Sequence, residues 1–158
     1  MESGDVAPLL NLFRENHADE IPGGVAVWAY RMFENLTKEL NSRGLATLRY
    51  AVREGRIEAG ALFVQEGNRL IYLFNAASPA GRLGNARTLL IDQIIREKAG
   101  KPAVFDFESP VKASIRDFYR SFGATEESFW HISWSRLNAA ERLVRQLRKA
   151  LKKASDTR

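Results

Sequence analysis

The stretch "RLIYLFNAASPAGRLGNARTLLIDQIIREKAGKPAVFDF", residues 69–107, decides the fold. Its first part, "RLIYLFNA" at 69–76, is a nearly continuous apolar run of strand length. A turn of small residues and arginine follows, and apolar positions at helical spacing then carry a helix to about Ala99. Gly100 supplies a left-handed stop and Pro102 prevents continuation. "AVFDF" at 103–107 is a short buried strand. Two strands joined through one helical crossover lie parallel, and ligands of such sheets bind at the carboxyl ends of the parallel strands. Those ends are Asn75–Ser78 and Phe107–Ser109.

Upstream of this unit the period is two. Ala46, Leu48, Tyr50 and Val52 alternate with polar neighbours, as a half-buried strand requires. "EGR" at 54–56 and "EGN" at 66–68 punctuate the region, so segments 45–53, 58–66 and 69–76 form an antiparallel meander. Residues 5–16 read as a short helix with Val6, Leu9, Leu10 and Phe13 apolar. Gly23-Gly24 opens a second, through about Asn41, on which Val25, Trp28, Met32, Phe33, Leu36 and Leu40 keep helical spacing.

Downstream, Ser109-Pro110 is a helix start, a capping hydroxyl before proline. Val111, Ile115, Phe118 and Phe122 line the face of that helix and Gly123 ends it. "ESFWHISWS" at 127–135 alternates Trp130, Ile132 and Trp134 against Phe129, His131 and Ser133, which reads as a further strand. Asn138 with Glu141 forms a capping box for a last helix. The whole is a mixed α/β sheet, a meander followed by a parallel strand–helix–strand, with two N-terminal helices and a C-terminal one. It divides into a domain at 1–137 and a basic amphipathic helix at 138–158.

The chain is 158 residues long, about one domain, enough to bury a core without disulfides or metal. With no cysteine, a disulfide framework, a zinc–thiolate site and a cysteine nucleophile are excluded. His17 and His131 are the only histidines, so no metal site is expected. The N-terminus lacks signal-peptide character and no apolar run approaches the roughly 18 residues of a membrane span, which predicts a soluble cytoplasmic protein. Residues 138–158 hold seven basic and two acidic side chains, the whole of the net charge of +5, and the rest of the chain is balanced. Any electrostatic partner, whether acidic lipid, RNA or an acidic protein, therefore belongs to that segment.

The turn "GRLGNA" at 81–86 has a physical use. Amide N–H groups at a helix N-terminus point outward unpaired, and glycine or alanine lets an anion approach the backbone closely. The dipole alone contributes about 0.3–1 kcal/mol, so several N–H bonds with Arg82 or Arg87 are required for useful affinity. An ordinary glycine-containing loop before a helix is the other reading.

Three motifs together resemble the GNAT superfamily of N-acyltransferases, in particular the GNAT-like domains related to Fem-type peptidyltransferases. The first is "GRLGNA", similar to the family's Gln/Arg-x-x-Gly-x-Gly/Ala turn for the pyrophosphate of coenzyme A. Gly84 and Ala86 are in register, whereas Gly81 stands in place of Gln/Arg and Arg82 comes one position later. The second is "FYRSFGA" at 118–124, where Tyr119 stands four residues before Gly123, as in the family segment whose tyrosine protonates the departing thiolate. Ala113 replaces an asparagine often found earlier on that helix. The third, "FDFES" at 105–109, resembles the strand end "Asp-Phe-Glu-Gly-Ser" of the Fem-related branch.

The resemblance implies transfer of an acetyl or other acyl group from acyl-CoA to a small-molecule or peptide amine. Arg82, Leu83, Gly84, Asn85, Ala86 and Arg87 would hold the pyrophosphate, and Asn75 and Ala76 would pair with the pantetheine arm. Tyr119 would be the acid, a phenol of pKa about 10 donating to a thiolate whose acid has pKa about 8.5; a core-edge tyrosine is the alternative. Amide formation needs a neutral amine, so a base is useful. Glu108, raised by desolvation at the end of a buried strand, would serve. Capping of the helix from Ser109, or pairing with Arg116, is the other reading of Glu108 or Asp106.

The rivals are a Fem-type reaction drawing on aminoacyl-tRNA to modify a peptide or peptidoglycan amine, and a degenerate GNAT-like domain that binds without catalysis. A tandem second GNAT-like domain, or a homodimer, is compatible with either. By family analogy Trp28 and Tyr30 wall an acceptor pocket, although core packing is the simpler reading of Trp28. His131 reads as an ordinary strand histidine.

Overall fold

In the computed structural model, residues 1–108 and 112–130 are described, with positions 132, 134, 138, 141, 143 and 144 beyond them. The chain divides into two compact units, Met1–Phe122 and Gly123–Arg158.

The first unit is built on a five-stranded sheet, β1 (Glu2–Ser3), β2 (Ala46–Arg53), β3 (Arg56–Glu66), β4 (Arg69–Ala77) and β5 (Val104–Asp106), in the order β1-β2-β3-β4-β5. The first three pairs are antiparallel and β4 with β5 is parallel, as the crossover predicts. Helices α1 (Ala7–Asn16) and α2 (Val27–Ser42) precede the meander; α3 (Pro79–Leu83) and α4 (Ala86–Lys98) make the crossover, and α5 (Ala113–Arg120) follows β5. Residues 59–64 of β3 are buried without interruption, which is what a strand covered on both faces must be. Ala59, Ala61 and Phe63 meet Leu90, Ile91 and Ile94 of α4 in one core. Leu62 and Val64 meet Leu9, Leu10 and Leu12 of α1 with Leu48 and Tyr50 of β2 in the other.

Several expectations are corrected. The short β1 has no periodicity to betray it: it pairs through Glu2↔Arg49 and Ser3↔Leu48, and the Met1 amino group donates to the Tyr50 carbonyl at 2.9 Å. Gly23 and Gly24 sit at φ +84° and +70°, so they turn the chain ahead of α2 rather than open it. Trp28 is 66% exposed, and Met32 and Leu36 are exposed with it; α2 instead packs Tyr30, Phe33 and Leu40 inward. The described residues of segment 127–135, which are 127–130, 132 and 134, form no strand, because alternation creates two faces without providing an edge to pair with. The helix after β5 starts at Ala113 with Lys112 as its N-cap; Ser109 and Pro110 lie outside the described residues, as do His131 and most of segment 138–158. The Asn138–Glu141 capping box forms reciprocally, each backbone N–H donating to the other's side chain at 2.9 Å.

Among the described residues no helix is long and apolar enough to cross a membrane, and no group of side chains is suited to hold a metal ion.

Candidate active site

The site begins where β4 loses its pairing with β5. β4 and β5 pair only over Arg69–Ile71 with Val104–Asp106. Immediately beyond, the β3 ladder shifts register, Phe63 facing Tyr72 and Leu62 facing Phe74, so that Leu73 is the extra residue of a bulge. A bulge bends and twists its strand, and from Tyr72 to Ala77 β4 is paired with β3 alone.

At the open end of β4 the expected turn is a helix and a kink. Ser78 caps α3, its Oγ accepting from the Gly81 N–H at 2.8 Å and donating to the Glu58 carboxylate. The chain then passes Gly84 to Asn85, whose φ of +54° redirects it into α4. No side chain caps α4; the Leu89 N–H closes the first turn on the Asn85 carbonyl at 3.1 Å. The amides ahead of Leu89 face outward, as those of a first helical turn do.

Both expected arginines flank this end. Arg82 donates to the Ala77 carbonyl at 3.1 Å, and Arg87 to Asn75 Oδ1 at 3.2 Å. Leu83 is 87% exposed, and Gly84 and Asn85 are exposed beside it. Ala76 is fully buried with its methyl in the α1-side core, so only its backbone can meet a ligand. Gly81 is buried as well.

Tyr119 of α5 stacks on Phe107 at 4.4 Å and meets Tyr72 edge to face at 6.2 Å. Burial pushes its phenol pKa up, against a smaller opposing pull from Arg87, which keeps it protonated at neutral pH. Arg87 thus acts on both Asn75 and Tyr119, drawing the residues expected for cofactor and acid into one neighbourhood.

Glu108 departs from its expectation. It is exposed, so the burial expected around it is missing. Its backbone stands at φ +62°, and its N–H donates to Asp106 Oδ1 at 2.8 Å. Asp106 is paired with Arg69 at 2.5 Å.

Two residues of the site carried no signal in the sequence. His17 follows α1, and its Nε2 accepts the Ala77 N–H at 3.3 Å. Burial lowers its pKa, with further depression from Arg82 and Arg87 against a rise from Glu20. Tyr72 was concealed inside an apolar run that reads as plain core.

Comparison with known proteins agrees with this geometry. The model of the family described as the acetyltransferase (GNAT) domain matches residues 2–109. A sequence comparison with curated proteins returns no match. Among solved structures the chain is similar to an aminoglycoside acetyltransferase from an uncultured soil metagenomic sample, with 20% identity, TM-score 0.54 and coverage of 80% of this chain and 87% of that one. It is similar also to a ribosomal-protein-alanine N-acetyltransferase from Brucella melitensis biovar Abortus 2308, with 16% identity, TM-score 0.55 and coverage of 82% and 90%. A third is AAC(6')-Iy in complex with a bisubstrate analogue, CoA-S-monomethyl-acetylneamine, with 14% identity, TM-score 0.53 and coverage of 82% and 92%. At these identities the likeness is one of fold.

Proposed function

This chain belongs to the acetyltransferase (GNAT) family, and from that premise we propose that it is an N-acyltransferase moving an acetyl or other acyl group from acyl-CoA to an amine. The observation that carries this reading is the parting of β4 from β5 after Ile71, beside an α4 whose N-terminus no side chain caps. Such an end accepts a pyrophosphate through its amides and dipole. Residues 82–87 hold the phosphates, with the Arg82 and Arg87 guanidinium groups as counter-charges, and the freed edge of β4 around Asn75 and Ala76 takes the pantetheine arm.

In the reaction the amine nitrogen attacks the thioester carbonyl carbon. The C–N bond forms, the C–S bond breaks, and the sulfur leaves as thiolate. Tyr119 gives that thiolate its proton and recovers one from solvent. The proton lost by the amine passes to Glu108, directly or through water, and on to solvent. An exposed carboxylate suits an exchange of this kind with water better than long retention of the proton.

The acceptor is an amine of undetermined class. The relatives named above include enzymes for an aminoglycoside and for a ribosomal-protein alanine, and both are amines. The relation to the Fem-type branch is a second reading: segment 138–158 carries the chain's entire net positive charge, which suits an aminoacyl-tRNA donor. A binding domain without catalysis is the third.

Thermal unfolding with and without acetyl-CoA tests the proposal. Saturation at a hundredfold over Kd stabilises by about 2.7 kcal/mol, a rise of several degrees. No rise at millimolar acetyl-CoA removes the acyl-CoA reading. If RNA then binds, and removal of residues 138–158 abolishes its salt-sensitive component, the donor is a tRNA.

A further inference from the structure

Tyr72 stands where β4 loses its second neighbour. It is the first position of β4 beyond the last pair with β5 and stands directly before the bulge at Leu73. Its side chain is 4% exposed, yet among the described residues its hydroxyl has no hydrogen-bond partner. Rings from β3, from β5 and the residue after it, and from α5 surround it: Phe63 at 5.4 Å, Phe105 at 6.5 Å, Phe107 at 6.3 Å and Tyr119 at 6.2 Å. The other buried side-chain polar atom without a partner among the described residues, Arg49 Nε, belongs to a guanidinium already held by Glu97 through two bonds. Tyr72 has no such compensation.

A buried hydroxyl left unpaired is destabilising, and a phenylalanine at this position would fill the same space without that penalty. The hydroxyl is therefore explained by something that arrives. Burial raises its pKa, against a smaller opposing effect of Arg87, so at neutral pH it keeps its proton and can donate it to an arriving acceptor. From the open end of β4 at Ala77 back to Tyr72 is five residue steps, about 16 Å of strand. An arm anchored at the α4 N-terminus and laid along β4 over that length brings its far end to Tyr72.

We propose that the Tyr72 hydroxyl is the hydrogen-bond donor that receives the acyl carbonyl oxygen of the bound thioester. This rests on the acyl-CoA reading given above. The bond orients the carbonyl and strengthens as negative charge develops on its oxygen during attack by the amine, while Tyr119 remains the separate proton source for the sulfur.

The test compares acetyl-CoA with coenzyme A, which lacks the carbonyl, on the full chain and on Tyr72→Phe by titration calorimetry. The variant is expected to lose about three- to tenfold in affinity for acetyl-CoA while keeping its affinity for coenzyme A. Its unliganded Tm should be equal to or above that of the parent. With carbonyl-labelled acetyl-CoA, the infrared carbonyl stretch should be lowered on binding to the parent and should return toward its free position in the variant. An unchanged affinity ratio and an unmoved stretch overturn the proposal and leave the acyl-CoA reading standing; a water held by Tyr72 would give that result. A lowered Tm with equal loss for both ligands makes the hydroxyl structural and also overturns it. Binding of neither ligand by the parent overturns the acyl-CoA reading itself.

Discussion

A methyl group placed on Gly81 would lie 2.0 Å from the carbonyl oxygen of Glu58 and 2.8 Å from its carbonyl carbon. The first turn of α3 is pressed onto the start of β3, where the Ser78 N–H donates to that same oxygen at 2.9 Å. Gly81 is thus a packing glycine. It occupies the place where GNAT turns carry a side chain, and here the backbone of β3 has taken that space. Gly84 differs: its φ is −83° and an added Cβ would meet only the Ala80 carbonyl oxygen at 3.3 Å. Gly81→Ala should lower unfolding stability by about 1–3 kcal/mol, as overpacking against backbone does. Gly84→Ala should stay within ~0.5 kcal/mol and instead weaken acetyl-CoA binding by roughly fivefold or more, since a methyl would stand between anion and amides. Urea titrations and calorimetry of the two variants check this; equal destabilisation would remove the contrast.

His17 should make the protein acid-sensitive in a defined window. Burial, then Arg82, then Arg87 lower its pKa, with Glu20 opposing, so the folded value lies below the unfolded one near 6.5. Between the two the unfolded chain binds more protons, and stability rises with pH. The contribution is present in full above about pH 6.5 and is lost as pH falls toward the folded value. Protonation also removes the acceptor that Nε2 offers to the Ala77 N–H. Melting curves from pH 5 to 8 should decline on the acid side for the parent and flatten for His17→Gln. Parallel curves would show that His17 is not the sensor.

The crossover was legible because its evidence is local: a long apolar strand, a helical period, Gly100 and then a short strand. What escaped depends on contacts distant in sequence. The Glu58 carbonyl that fills the space over Gly81 lies 23 residues away, and the Ala77 amide that engages His17 lies 60 residues away. The described residues of segment 127–135 form no strand for the complementary reason, since alternation is strong there but a strand exists only where another edge receives it. Trp28, Met32 and Leu36 share one stripe of α2 with apolar spacing, but the inward arc is set by Tyr30, Phe33 and Leu40 packed beside Phe74. Of the proposed site, the arginines, Asn75 and Tyr119 were readable as residue types near a strand end. The unpaired hydroxyl of Tyr72 was not, because an apolar run gives no sign of which side chain lacks a partner.

Tyr119→Phe should separate chemistry from binding. The ring keeps its stack on Phe107, so affinity for acetyl-CoA should hardly change. Loss of the proton donor should lower kcat by roughly 10²-fold, the lower end of general-acid contributions. KM should remain near the parent value. A variant with parental kcat would show that the thiolate takes its proton from water, and Tyr119 would leave the mechanism.

Glu108 joins two observations that a single pair of substitutions can part. It holds a left-handed backbone at φ +62°, a conformation that costs a non-glycine residue of its shape roughly 1 kcal/mol or more, and it presents an exposed carboxylate beyond β5. Strain kept at such a position is expected where the side chain has a use. Glu108→Gly should relieve the backbone and raise stability by up to about 1 kcal/mol, while slowing turnover at pH 7. Glu108→Gln keeps the backbone cost and removes the charge, so it should slow turnover with little change in stability. At high pH, where the amine is already neutral, both variants should recover toward the parental rate. If the glycine variant is stabilised and the rates of both are parental at every pH, Glu108 accepts no proton from the amine, and the strained residue owes its place to the turn that leaves β5.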